Sequence, residues 1–241
     1  MARPPCRVSA PQTVSDSKRA FHAAFPHVIG PLYRRMVDEL LVELHLLSHQ
    51  RGFQADPLFA VGVVQVFQAF ARGYRPEAHR EPLFEALCKA TGFDAGELRG
   101  WSDNALSAMG AHRVETVKGW IDAGGSGAPE PLANALHQIR RSDFHYSRLM
   151  AVGLLTLLEK AQGAKDLDAP TLRSYAHDLG EAMGLIKDRL DKDLSLYAGN
   201  IEKMAQAVEL MEETLAIERR RRERQDEAAV SAAAEVAPSE G

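Results

Sequence analysis

The sequence is poor in cysteine, in aromatic residues and in long apolar runs. Only two of its 241 residues are cysteine, Cys6 and Cys88, which is too few for a disulfide framework. The longest apolar run, residues 57–71, is broken by Gln65 and Gln68. It is shorter than the ~20 residues that a membrane-spanning helix needs. The first residues also lack the apolar segment of a secretory signal. We therefore expect no signal peptide and no transmembrane segment, and a reducing compartment.

Motifs that carry chemistry are missing as well. The chain contains no Gly-x-Gly-x-x-Gly, no Gly-x-x-x-x-Gly-Lys-Ser/Thr and no Gly-x-Ser-x-Gly. Its formal net charge is −4, whereas nucleic-acid binding draws on a basic surface. The sequence therefore predicts a protein that is not an enzyme, needs no cofactor and does not use nucleic acid as its main partner.

One segment has the residue types of a metal site. Asp38, His45 and His49 share a face of a predicted helix, and Glu39 and Glu43 are four residues apart. Di-metal helical bundles, however, use Glu-x-x-His pairs on two helices, and this segment offers a single Glu-x-His. We therefore interpret the segment as a surface helix whose histidines are hydrogen-bonded, with no metal.

What the sequence does contain is helical periodicity along most of its length. Apolar residues recur every three or four positions, as in the series Leu32, Met36, Leu40, Leu44 and Leu47. Alternating β-branched runs and Asn-Gly or Asp-Gly turns are absent. The predicted fold class is all-α, a multi-helix globular body with a long, partly projecting C-terminal helix.

Composition divides the chain into segments. Residues 1–12 form a Pro-containing leader that we expect to be disordered, and residues 13–184 form the helical globular domain. A Gly-rich stretch at about 123–131 is predicted to be a flexible loop. Residues 185–225 are predicted as the long C-terminal helix, and residues 226–241 as a disordered acidic tail.

The C-terminal helix carries a strict heptad seam, in which apolar residues step alternately by three and four. Its members are Leu194, Tyr197, Ile201, Met204, Val208, Met211 and Leu215. Such a seam is compatible with two arrangements: it can pack against the globular domain, or it can pair with another helix. The helix is longer than the core of the globular domain requires, which favours a partner surface. Gly199 is expected to destabilise the helix locally.

Two charged clusters are further candidates for a partner surface. Tyr33, Arg34 and Arg35 offer guanidinium groups to carboxylates, either of a partner or of their own helix at i,i+4. The second cluster is Arg219, Arg220, Arg221 and Arg222 near the end of the long helix. These positive charges can interact favourably with the helix macrodipole. Alternatively, they can bind anionic lipid head groups or an acidic partner.

Several stretches resemble a known family. The segments TVSDSKRAF, PLYRRMVDELLVELHLL, DPLFAVGVV and GYRPE lie between Thr13 and Tyr74 or just beyond it, and HYSRLMAVGLLTLLE and KDLSLYAGNIEKM lie further along. Together they resemble the thylakoid formation protein family of the cyanobacterial type, over nearly everything between Thr13 and Arg224.

This resemblance implies a function. It points to a non-enzymatic accessory factor in thylakoid membrane biogenesis and photosystem II assembly and repair, which binds and stabilises FtsH-type membrane protease complexes. Photosystem II assembly intermediates are a further expected partner. It also implies a soluble or peripheral location on the cytoplasmic side of the thylakoid membrane. The alternative is a peripheral protein that organises the membrane directly, through the basic cluster and anionic lipid.

Overall fold

The computed structural model describes residues 12–139, 141, 144–182 and 187–235. Within these residues the fold is all-α and contains no strand, only one isolated bridge between Arg113 and Gln162. The helices in chain order are α1 (Val14–Ala24), α2 (Pro31–Ser48), α3 (Pro57–Phe70), α4 (Arg80–Thr91), α5 (Ala95–Gly110), α6 (Val114–Asp122), α7 (Glu130–Ile139), α8 (Arg148–Lys160), α9 (Ala169–Ala182) and α10 (Lys187–Glu235). The predicted fold class is confirmed. In this part of the chain no helix combines the length and the apolarity that crossing a bilayer requires.

Side-chain caps fix where several helices begin. Thr13 and Asp16 form a reciprocal capping box at the start of α1. Asp56 caps α3 through a 2.8 Å hydrogen bond that its carboxylate accepts from the Phe59 amide, and Pro57 occupies the first turn. At the other end of α4, Gly92 takes the left-handed conformation that terminates a helix.

Helix α3 lies at the centre of the globular body and packs against α8 and α5. Leu58, Phe59, Val61 and Val63 are all fully buried, so the helix hides nearly its whole circumference. A second group is formed by α1 and α2, which pack against each other and against α4. The inner side of α4 includes Cys88, whose pKa is raised to about 12 by burial.

The chain divides into two compact units, residues 1–198 and residues 199–241. The first unit includes the beginning of α10, whose Leu190 and Leu194 are buried. The phenol of Tyr146 donates a 2.9 Å hydrogen bond to the carboxylate of Asp193 and so ties α10 to the segment before α8. The contact boundary therefore falls within α10, downstream of the predicted boundary at 184/185, and residues 183–186 lie outside the described residues.

The second unit begins at Gly199 and continues α10 to Glu235. The helix therefore includes residues 226–235, which the sequence assigns to a disordered tail. Alanine is the strongest helix former, and this stretch is rich in it. Of the predicted leader and tail, residues 1–11 and 236–241 lie outside the described residues. The predicted loop at about 123–131 overlaps the connection between α6 and α7, residues 123–129, and its last two residues begin α7.

Candidate functional site

A groove of about 510 Å³ opens between α1, the start of α2 and the connection that joins them. Its apolar side is formed by Phe21, Phe25 and Val37, all of which are buried. Val28 also lines the groove and is 89% exposed. The bottom of the groove, its floor, therefore consists of buried side chains that are already packed. Its edge, the rim, carries one apolar side chain that is exposed to solvent.

Ring stacking holds the connection between α1 and α2 in place. His27 stacks on His79, with ring centroids 4.0 Å apart, and Phe25 meets His27 edge to face at 5.1 Å. His79 belongs to a short 3-10 turn, Glu77–His79, in the GYRPE segment. A residue about fifty positions away in the sequence therefore packs on His27, which itself lines the groove.

Charge on the groove is uneven. Asp38 forms an ion pair with Lys18 at 3.0 Å, and Arg35 forms one with Glu39 at 2.8 Å. Arg34 lines the groove, is exposed, and its guanidinium has no ion pair or hydrogen bond within the described residues. The intrahelical pairing that the sequence offered as an alternative thus applies to Arg35, and Arg34 is left as an available cation.

Tyr33 lies inside the protein and not on its surface. It is 4% exposed, and its ring meets that of Tyr74 edge to face at 4.9 Å. Its hydroxyl points to the carbonyl of Arg72 at 3.5 Å. The side chain therefore joins α2 to the end of α3, and only Arg34 and Arg35 of this cluster can face a partner.

His45 of α2 and His49, which follows the last residue of that helix, take part in structural hydrogen bonds. The Nδ1 atom of His45 lies 2.9 Å from the hydroxyl of Ser17, and both residues are buried. Burial and the neighbouring His49 lower the pKa of His45, although Asp16 opposes them. The Nδ1 atom of His49 lies 2.8 Å from the His45 carbonyl oxygen. Among the described residues, no three side chains of metal-binding type come together.

The heptad seam is divided between the two units. Leu194 is buried in the first unit, and the ring of Tyr197 meets that of Phe70 edge to face at 6.4 Å. This first part of the seam packs on the globular body. In the second unit the seam continues along one side of α10 through Ile201, Met204, Val208, Met211 and Leu215, the last of which is 48% exposed.

The second unit also has apolar residues on the side opposite the seam. Leu210 and Ile217 are seven residues apart and are 64% and 65% exposed. The four arginines Arg219, Arg220, Arg221 and Arg222 are all exposed. Since consecutive residues of a helix are about 100° apart, they surround the axis and do not form a single basic face.

Two features of the site are not evident from the sequence. The turn signals of Pro26, Gly30 and Pro31 predict the break between α1 and α2 but not the groove beside it. The stacking of His27 on His79 carries no sequence signal at all, because it depends on how the 3-10 turn returns to α1.

Comparisons with known proteins agree with one another. A model of the thylakoid formation protein family matches residues 13–226. The chain is 54% identical to protein Thf1 of Prochlorococcus marinus strain MIT 9313, over 95% of both chains. It is 49% identical to protein Thf1 of Synechococcus sp. strain CC9605, over 90% of this chain and 95% of the relative. A solved structure of Psb29 superposes with a TM-score of 0.76 at 36% identity, covering 88% of this chain and 99% of Psb29.

Proposed function

This chain belongs to the thylakoid formation protein family, and from that premise we propose that it is a non-enzymatic accessory factor in thylakoid biogenesis and photosystem II assembly and repair. In this proposal it binds and stabilises FtsH-type membrane protease complexes from the cytoplasmic side of the thylakoid membrane, as a soluble or peripheral protein. The observation that carries the proposal is the family match over residues 13–226, which spans both compact units.

The described surface supports a binding role in two places. In the first unit, the groove beside α1 presents Arg34 and the exposed Val28. In the second unit, α10 presents Leu210, Leu215 and Ile217 to solvent. Exposed apolar side chains near unpaired charge are typical of surfaces that meet other proteins. Both places therefore belong to the proposed partner surface.

Affinity purification from mildly solubilised photosynthetic membranes tests the proposal. The tagged full-length chain is expected to recover FtsH-type subunits in stoichiometric amounts, and the tag alone is the control. Recovery of no FtsH-type subunit by a folded full-length chain would contradict the proposal.

A shortened chain assigns the interface to one unit. A chain that ends at Ala198 keeps the buried Leu190 and Leu194 and removes only the second unit. Its circular dichroism and melting curve show first that it folds. Binding by this chain would then assign the interface to the first unit, and loss of binding would assign it to the second unit, residues 199–241.

The exposed arginines favour a second candidate function, direct organisation of the membrane. Each basic residue near an anionic surface contributes about 1 kcal/mol of binding. Vesicle flotation with and without anionic lipid tests this function, using a variant in which Arg219 to Arg222 are all replaced by Gln. Binding that needs anionic lipid and disappears in the variant would favour the membrane role. Equal flotation of both proteins would contradict it.

A further inference from the structure

We infer that the groove between α1 and α2 receives a short segment of a partner protein, in which an Asp or Glu lies within one helical turn of a large apolar residue. The inference rests on the proposed function, because it gives the chemistry of the segment that the accessory factor would recognise. It is carried by the shape of the groove, by its charge and by the helices that border it.

The shape of the groove suits an apolar anchor. Its volume of about 510 Å³ lies within the ~300–1,000 Å³ of pockets that enclose small ligands, enough for a few side chains of a peptide. Phe21, Phe25 and Val37 are buried and fixed by their own packing, so the floor is formed before a partner arrives. Val28 is 89% exposed at the rim, and an apolar side chain in the groove would cover it.

The charge of the groove selects an acidic residue. The groove is lined by Arg34 and Asp38, and Asp38 is already neutralised by Lys18 at 3.0 Å. Arg34 thus carries the uncompensated charge, on a protein whose formal net charge is −4. His22 and His27 also line the groove. A partner carboxylate could accept two parallel hydrogen bonds from the Arg34 guanidinium.

The border of the groove determines the form of the partner segment. Its walls are α1, α2 and their connection, and the part of the chain that the structure describes has no strand to which an extended peptide could add. Recognition must then come from side chains. A helix or helical turn places residues three and four apart on one face, so it can present an apolar anchor and a carboxylate together.

Site-specific photo-crosslinking in the full-length protein tests the inference. Benzoylphenylalanine replaces Val28 at the rim, and the control probe replaces Leu46, a 58% exposed residue further along α2. After irradiation in mildly solubilised photosynthetic membranes, mass spectrometry identifies the partner peptide at each position. The Val28 probe is expected to label peptides with Asp or Glu within four residues of Leu, Ile, Met or Phe, and the Leu46 probe is not.

Two substitutions that each remove one positive charge then test whether the Arg34 guanidinium binds the partner segment. Arg34→Gln is expected to lower the yield of the Val28 adduct about tenfold, the loss that corresponds to one charge-assisted contact. Arg35→Gln is the matched control, since Arg35 is the adjacent exposed arginine but is already paired with Glu39. It should change the yield by less than about twofold. Unchanged circular dichroism confirms that both variants fold.

The outcomes separate this inference from the proposed function. Recovery of FtsH-type subunits without a Val28 adduct, with an adduct that lacks an acidic residue, or with only lipid adducts would overturn the inference and leave the proposed function standing. An equal loss of Val28 adduct in the Arg34→Gln and Arg35→Gln proteins would also overturn the inference. An acidic and apolar peptide from a protein unrelated to the protease would support the inference and count against the proposed function.

Discussion

Gly62 of α3 and Gly153 of α8 face each other where the two central helices cross. A Cβ atom on Gly62 would lie 3.2 Å from the Gly153 nitrogen and would overlap the carbonyl of Leu149. A Cβ atom on Gly153 would lie 3.1 Å from the Gly62 nitrogen and would overlap the carbonyl oxygen of Leu58. The obstacle on both sides is backbone, which cannot rotate away as a side chain can. The core of the protein therefore depends on backbone contact at this crossing.

Replacing either glycine with alanine should separate the two helices. We expect Gly62→Ala and Gly153→Ala each to lower the free energy of unfolding by about 2–4 kcal/mol, since overpacking of a core is costly and backbone has little room to move. Gly100→Ala is the control, because Gly100 is in α5 and nothing lies within 4 Å of its added Cβ. There the change should stabilise by about 0.5–1 kcal/mol. Urea denaturation followed by circular dichroism measures all three, and equal stability of the three variants would contradict the close crossing.

Asp56 should make stability depend on pH. Burial raises its pKa from 3.8 to about 6, although the amide hydrogen bonds of the α3 cap oppose this. Because the folded pKa is raised, the folded state holds a proton between pH 4 and 6 that the unfolded state has lost. The stability that this proton contributes is present below pH 4 and is lost as pH rises through 6.

Comparison with Asp56→Asn isolates that contribution. Asn also caps helices but does not titrate. Between pH 4 and 7 the wild type should lose up to about 3 kcal/mol relative to the variant, from a shift of about two units at ~1.4 kcal/mol each. Urea denaturation at a series of pH values measures the difference. If the free energy of unfolding changed with pH in the same way in both proteins, the pKa of Asp56 would not be raised by burial.

The hydrogen bond between Ser17 and His45 should contribute to the attachment of α1. Ser17→Ala leaves the Nδ1 atom of a buried histidine without its partner, and we expect a loss of about 1–3 kcal/mol. Ser15→Ala is a matched control on the same helix, because Ser15 is exposed. It should change stability by less than about 0.5 kcal/mol. The comparison uses thermal and urea unfolding, and a similar loss in both variants would show that the hydrogen bond between Ser17 and His45 is not its cause.

The hydroxyl of Tyr146 should anchor the beginning of α10. It donates to Asp193 at 2.9 Å, and the guanidinium of Arg189 lies 5.0 Å from the centre of its ring. Burial raises the pKa of this phenol, and so does the hydrogen bond to the Asp193 carboxylate. Tyr146→Phe keeps the ring and should cost about 1.5–3 kcal/mol, the contribution of a hydrogen bond to a charged group.

Tyr175→Phe provides the control for this change. The ring of Tyr175 lies 5.0 Å from the Lys118 ammonium, and its hydroxyl has no hydrogen bond within the described residues. Loss of this hydroxyl should therefore have little effect on the free energy of unfolding. If Tyr146→Phe were as stable as Tyr175→Phe in urea, the bond to Asp193 would not hold α10.

Local signals in the sequence predicted much of the helix pattern. Asp56 followed by Pro57 is a signal for a helix start and begins α3, and Gly92 ends α4 in the left-handed conformation. At α1 Ser15 is of a residue type that caps helices, yet it lies inside the helix as its second residue. The cap is Thr13, whose box is closed by Asp16 where Glu or Gln is usual. Caps depend on residues within one turn, so short-range chemistry identifies them well.

The partner surface was harder to predict, because exposure is decided by distant residues. Tyr33 belongs to the same polar cluster as Arg34, yet it is buried against Tyr74 while Arg34 is left to solvent. The heptad seam has one uniform period, yet Leu194 and Tyr197 pack on the globular body while Leu215 in the second unit is 48% exposed. A period identifies one side of a helix but not what covers it.

By itself, the sequence determined the all-α class, the caps of some helices and the family, because these follow from periodicity, from short-range chemistry and from motifs that can be compared directly. Only the tertiary structure decided which charges are free, which glycines allow the central crossing, and that a groove lies between α1 and α2. The physical reason is separation along the chain. The Gly62–Gly153 contact and the His27–His79 stack join residues far apart in sequence, and no local preference encodes which distant surfaces will meet.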